Sequence, residues 1–231
     1  MALPELRIAE WRPTKDTLHV YAQIVGKVKL ATAPPRNHWW HAPLYVDVRG
    51  LTTGPLRGGG TTFEIAFDLV GHELVVRTID GSMRAFPLAD GLSVAGFDAR
   101  LHSVLAELGI DVAIREQPYG VPAMTTPFRE DTEHASWDRD AVERFHLALD
   151  WSTSVLEAFS GWFVGKQSPV QLFWHSFDLS LTRFSGRPGV VIESDLVNRE
   201  AYTHEVMLFG FWMGDEQTFP DASFYAFMML L

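Results

Sequence analysis

Two stretches of this chain carry the same residues in the same order, and no other feature restricts the fold as much. In the first, Ile24-Val25-Gly26-Lys27 closes a helical pattern, a proline-bearing loop follows, and Trp39-Trp40-His41 leads into a strand pattern ending at Arg49. In the second, Phe163-Val164-Gly165-Lys166 leads through a short polar loop to Phe173-Trp174-His175 and then Arg183. Each Arg follows its His by eight residues, and the next strand pattern carries a Thr-x-Glu that supplies Glu64 or Glu205. The shared order predicts an internal duplication. Its two α+β units would be residues 1–110 and 111–231, packed as one compact structural domain.

Periodicity fills in the units. Residues 5–11 alternate loosely and predict a short strand before Pro13. From Thr14, Leu18, Tyr21, Val25 and Val28 recur at helical spacing, which predicts one buried stripe, with His19, Gln23 and Lys27 as a polar line on the other side. Strands are predicted at 44–49, 62–68, 73–78 and 83–88, with turns at Gly58-Gly59-Gly60 and at Asp80-Gly81, a strong hairpin signal. Val94, Phe97, Leu101, Val104 and Leu108 predict a second helix up to Gly109. A strand is then expected at 111–115, and a crossing loop over 117–137, where Pro118, Pro122 and Pro127 exclude a regular element. Asp138 can cap a long helix with Val142, Leu149, Leu156 and Phe163 in a seven-residue repeat. Strands follow at 170–184, 202–211 and 222–229.

The expected class is therefore α+β, with two tandem strand–helix–four-strand–helix units and antiparallel sheets, the second unit incomplete. That order is the one found in helix-grip and TATA-binding-protein-like folds, an analogy of architecture alone. The final strand ends in Met228-Met229-Leu230-Leu231, an apolar edge that predicts either a shortened polypeptide or covering by a partner, such as a second copy in a homo-oligomer.

Nineteen basic against twenty-nine acidic residues give a formal net charge of −10, which argues against a grip on nucleic acid. Without a cysteine, the chain has no disulfide, thiolate nucleophile or cysteine metal site. No apolar run approaches the roughly 18 residues of a membrane span, and residues 1–7 lack a secretory pattern, so a cytoplasmic protein is expected.

Several long motifs resemble a bacterial family known only as a domain of unknown function. They are the segments at 17–27, 37–46, 49–53, 63–68, 168–174 and 177–187, including Asn37-His38-Trp39-Trp40-His41, Phe63-Glu64-Ile65 and Thr182-Arg183-Phe184-Ser185-Gly186-Arg187. The resemblance covers essentially the whole chain and implies no activity, cofactor or catalytic residue. It implies that members continue past the position of Ala226 with a further strand and helix.

Candidate chemistry comes from the duplicated set Trp40, His41, Arg49, Glu64 and Trp174, His175, Arg183, Glu205. On straight strands each Arg is expected to pair across the ladder with its Glu, while the tryptophans could floor a ligand site. The spacing His38-x-x-His41 enters a strand pattern, where three-residue steps face opposite sides, so no metal is expected, and no cofactor motif is present. Lys27 and Lys166, each closing a helix, are expected to serve the helix C-terminus rather than act as nucleophiles. No phosphate loop, zinc-protease helix or serine-hydrolase elbow occurs. Two readings stay open. One is a small-molecule-binding protein or enzyme with a pocket at the seam of the two units; the other is a non-catalytic module that docks a protein through a curved sheet face.

Overall fold

The computed structural model describes residues 4–121, 124–189, 196–215 and 219–229. Within them the chain forms α1 (Ile8–Thr32), a 3-10 turn (Asn37–Trp39), β1 (Tyr45–Asp47), β2 (Gly50–Thr52), β3 (Leu56–Gly58), β4 (Thr61–Asp68), β5 (Glu73–Thr78), β6 (Met83–Pro87) and α2 (Val94–Glu107). There follow a second 3-10 turn (Phe128–Glu130), α3 (Arg139–Ser160), β7 (Gln171–Phe173), β8 (Asp178–Pro188), α4 (Leu196–Ala201), β9 (His204–Trp212) and β10 (Ser223–Met229). The fold is α+β with two antiparallel sheets. The first has the order β1-β2-β4-β5-β6 with β3 against β4, and the second the order β10-β9-β8-β7.

Helix α1 is the axle on which both sheets are mounted. Every residue from Thr17 to Lys29 is buried, so the helix has no solvent face over that stretch. Toward the first sheet, Tyr21 stacks on Phe97 of α2 with ring centres 4.0 Å apart, and Phe97 lies 6.1 Å from Phe67 and 5.6 Å from Phe86. Toward the second sheet, His19 stacks on Phe177 at 4.9 Å and Phe177 on Phe145 of α3 at 5.4 Å. Each buried ring of this size contributes about 1.5–3 kcal/mol, which outweighs the modest helix propensity of the β-branched residues in α1.

The total burial of α1 corrects the polar line expected on its outer side. His19 Nε2 meets His175 O at 3.2 Å, Gln23 exchanges hydrogen bonds with both Tyr119 O and Tyr119 N, and Lys27 Nζ donates to Gln117 O at 2.7 Å. The three residues stitch the loop at 117–119 and the turn at His175 to the helix. A polar group without water needs a partner, and backbone supplies it here.

Three further expectations are corrected. Residues 8–11 form the first turn of α1, because Trp11 must share a face with Leu18 to pack on Phe145 at 5.3 Å; only Arg7 makes an isolated bridge, with Asp221. Residues 111–115 form no strand but run as extended chain, and the following loop crosses α1 as the prolines imply. The long strand expected at 170–184 is interrupted at 174–177, where Phe177 has φ 56° and its N–H returns to Phe173 O at 2.7 Å.

Asp138 caps α3 by accepting from Ala141 N at 3.1 Å. The helix then lies under one face of the second sheet, where Phe159 meets Phe209 at 4.9 Å and Trp151 meets Phe224 at 6.0 Å. The two sheets meet at a seam, with Leu44 and Leu172 exchanging backbone hydrogen bonds of 2.9 and 2.8 Å. No helix among the described residues is long and apolar enough to cross a membrane.

Candidate functional site

Side chains alternate across a strand, so the second sheet has two distinct faces. Leu179, Leu181 and Arg183 face α3. Asp178, Ser180, Thr182 and Phe184 face the other way, in register with Trp212, Gly210, Leu208 and Val206 on β9 and with Ser223, Tyr225, Phe227 and Met229 on β10. Above this second face is a cavity of ≈ 990 Å³. Its roof comes from the end of α1, residues 38–42, the 113–119 segment and α4.

The polar centre of the floor is Asp178, 9% exposed. Ser176 Oγ donates to its Oδ1, and the Tyr225 hydroxyl, from two strands away, donates to its Oδ2. Tyr225 can cross β9 because the residue beneath its ring is Gly210. A Cβ at that position would lie 2.4 Å from the tyrosine Cζ and 2.2 Å from Leu179 O. Burial, reinforced by the charge of Asp178, pushes the Tyr225 phenol far above the usual range, so it remains a donor. Ser180 Oγ sits beside the Tyr225 hydroxyl and slightly opposes that shift, but it has no hydrogen bond of ordinary geometry among the described residues. Its cross-strand neighbour Gln171 buries both amide atoms in the same condition.

The wall is built from residues held in unusual backbone. His38 and Trp39 have φ 58° and 59°, the left-handed region that costs a side-chain-bearing residue of order 1–3 kcal/mol and persists only where surroundings hold it. What holds it is a chain of contacts. His38 Nδ1 donates to Ala201 O at 3.0 Å, and its Nε2 accepts from Lys166 Nζ at 2.8 Å. The same ammonium sits 4.7 Å from the Phe184 ring centre and 5.5 Å from that of Trp40. Burial pushes the His38 imidazole below its ordinary value, consistent with a neutral ring that accepts from Lys166. Trp174 closes the inner wall by lying directly on α1 at Gly26, where any Cβ would come within 2.2 Å of its ring, and its Nε1 donates to Ala42 O at 3.0 Å.

His175 lines the cavity beside Tyr119, and neither ring nitrogen makes a hydrogen bond among the described residues. Burial lowers its pKa, against the charge of Asp178, which works the other way. Lys27 also lines the cavity, and burial pulls its ammonium down to about 8.

Of the eight residues singled out by the repeated motif, the structure brings Trp40, Trp174 and His175 to the cavity wall. His41 does not line it: its Nδ1 accepts from Arg36 N at 3.1 Å and its ring stacks on Trp39. Neither arginine pairs with the glutamate expected of it. Arg49 donates to Asp68 at 2.6 Å, while Glu64 accepts from Thr52 and lies 3.9 Å from Arg77. Arg183 faces α3, its guanidinium 3.9 Å from the Phe159 ring centre, and Glu205 accepts from Ser185. The reason is register: Arg49 lies in the turn before β2, where Gly50 stands opposite Asp68, while Glu64 is four residues away along β4 and opposite Arg77, so the eight-residue spacing from His41 to Arg49 carries no pairing information. The aromatic–His pairs also do not open strands, since both fall in turns.

Asp178, Tyr225 and Gly210 were not singled out by sequence. Their only signal was the alternation Asp178-x-Ser180-x-Thr182, a polar file inside an otherwise apolar strand, which marks a face that meets something other than core. Among the described residues, no three His, Asp or Glu side chains gather as a metal would require.

Fold and cavity together define an α+β protein whose second sheet forms the floor of a cleft rich in aromatic side chains. The chain belongs to a family of unknown function, DUF5996, whose model matches residues 3–229. No curated protein and no solved structure matches it.

Proposed function

We propose that the protein binds a small organic molecule in the cleft above the second sheet. The observation that carries this reading is the cavity of ≈ 990 Å³, walled by Trp40, Trp174, Phe184 and Phe227 and holding one oriented carboxylate. Ligand sites combine that size with mostly apolar walls and a few convergent polar groups. The orphaned Ser180 hydroxyl and the free His175 ring support it, as polar groups on that face with no partner among the described residues. The test is calorimetric titration with a neutral arene, 3-phenylpropan-1-ol, with native mass spectrometry of protein taken directly from cells. Saturable one-to-one binding, weakened by Trp40→Ala, is expected; no saturable binding of this probe or of its amine and carboxylate analogues would remove the reading.

A second reading has its own support on the opposite side of the sheet. Phe224 and Met228 of β10 and Phe159 and Trp162 at the end of α3 are exposed, and among the described residues β10 has only β9 beside it. This surface favours docking of a protein, a second copy included. Light scattering after size exclusion tests self-association, with a dimer that Met228→Glu dissociates as the expected result. A monomer at all concentrations would refute it.

A further inference from the structure

We propose that the ligand of this cleft is an organic cation, an ammonium group on an apolar or aromatic body, with Asp178 as its counter-ion. This rests on the reading of the cleft as a small-molecule site and narrows its chemistry.

Asp178 is a buried carboxylate with no cationic partner among the described residues. A carboxylate removed from water is costly unless it is paired, and in proteins buried carboxylates are met by cations or by dense hydrogen bonding. Asp178 has two donors, Ser176 and Tyr225, and about four acceptor positions, so acceptor capacity remains on the cavity floor. No Lys or Arg lies within ion-pair distance of it among the described residues. Two of the cations near the cavity are engaged elsewhere. Lys27 is held by Gln117 O, and Lys166 by His38 at the Phe184 end of β8, six residues and roughly 20 Å from Asp178 at strand spacing. Arg115 stands exposed on the 113–119 segment.

The titratable groups that feel the Asp178 charge do not neutralise it. Tyr225 and Tyr202 are pushed up by burial and by that charge, and His175 is pushed down by burial despite it. All three are therefore neutral at pH 7, so none of them supplies a positive charge to the carboxylate.

The wall itself suits a cation. Faces of aromatic rings attract positive charge, by about 0.5–2 kcal/mol depending on desolvation. This cleft already holds one ammonium in that manner, Lys166 over Phe184 and Trp40. Tyr225 stacks on Phe227 at 6.0 Å beside Asp178, which gives a second ammonium ring faces and a carboxylate together.

The experiment is a titration of the full chain at pH 7 with three isosteric probes, 3-phenylpropylamine, 3-phenylpropan-1-ol and 3-phenylpropionate, followed by calorimetry and ligand-observed NMR. The amine is expected to bind at least tenfold more tightly than the alcohol, and the carboxylate more weakly than either. Asp178→Asn should collapse the amine-to-alcohol ratio toward one. The wild-type series decides the matter by itself if that variant does not fold. Binding of the alcohol with an amine no tighter, or with the carboxylate tightest, overturns the cation assignment while leaving the cleft as a small-molecule site. Failure of all three probes to bind overturns both.

Discussion

Tyr225 of β10 donates its hydroxyl to Asp178 of β8 across a strand that offers no side chain at the crossing point, Gly210. The arrangement makes that glycine a spacing element of the site. Gly210→Ala would place a methyl 2.4 Å from the tyrosine ring and 2.2 Å from Leu179 O. The variant should lose about 1–3 kcal/mol of stability and much of its preference for an ammonium probe. Urea unfolding alongside probe titration checks this, and an unshifted midpoint would contradict it.

Removing the hydroxyl alone is a milder test. Tyr225→Phe keeps the ring over Gly210 but takes one donor from a buried carboxylate, a loss of about 1–3 kcal/mol. In the Asp178→Asn background the same change should cost less, and a double-mutant cycle measures the difference. A coupling of zero would mean that the two groups do not act on each other in solution.

Acid should destabilise the protein through His19. Burial, with a smaller push from Lys15, lowers its pKa from 6.5 to about 3 in the folded chain. Between those values the unfolded chain takes up a proton that the folded chain refuses. Stability is therefore complete above pH 6.5 and falls as pH drops, by up to about 1.4 kcal/mol per pH unit. His38, His41 and His175, lowered in the same direction by burial, add to the slope. Urea midpoints at pH 7, 6 and 5 should show a shallower dependence in His19→Gln than in the natural chain. Equal slopes would refute the assignment.

Gln23 holds the 117–121 segment through two hydrogen bonds to Tyr119, of 3.0 and 2.7 Å. Gln23→Leu removes one hydrogen bond from each of the two backbone groups of Tyr119. The expected result is a stability loss of about 1–3 kcal/mol and faster hydrogen exchange at the Tyr119 amide. Retained protection there would show that the segment is secured by something else.

Sequence periodicity located the long elements well and the site poorly, for physical reasons. Helices α2 and α3 carry one apolar stripe each, and the first stops before Gly109 while the second opens on its N-cap Asp138, so their positions are legible. Helix α1 was legible as a helix but not in its surroundings. Its file of His19, Gln23 and Lys27 looks like a solvent face, and whether backbone carbonyls meet it depends on a loop about 90 residues away. The strand expected at 111–115 has suitable residues but no neighbour to pair with, and strand propensity without a ladder is weak. Trp40, Trp174 and His175 were found because large rings beside a histidine are conspicuous. Asp178 was passed over because its meaning comes from which face of β8 it occupies and from a glycine on the next strand.

The residues of the repeated motif that lie away from the cleft give a negative control. Arg49→Ala and Glu64→Gln should leave affinity for a phenylpropyl probe within twofold, while Trp40→Ala weakens it at least fivefold. A loss from Arg49→Ala comparable to that from Trp40→Ala would place the ligand somewhere other than the second sheet.

The sheathing of α1 by both sheets also governs how the chain can be divided. A fragment ending near residue 110 would keep the helix yet strip the cover from Ile24, Gly26 and Lys27 on the Trp174 side, and the complementary fragment would have a sheet with no axle. Limited proteolysis within 117–121 should thus melt the molecule entirely instead of releasing a stable half.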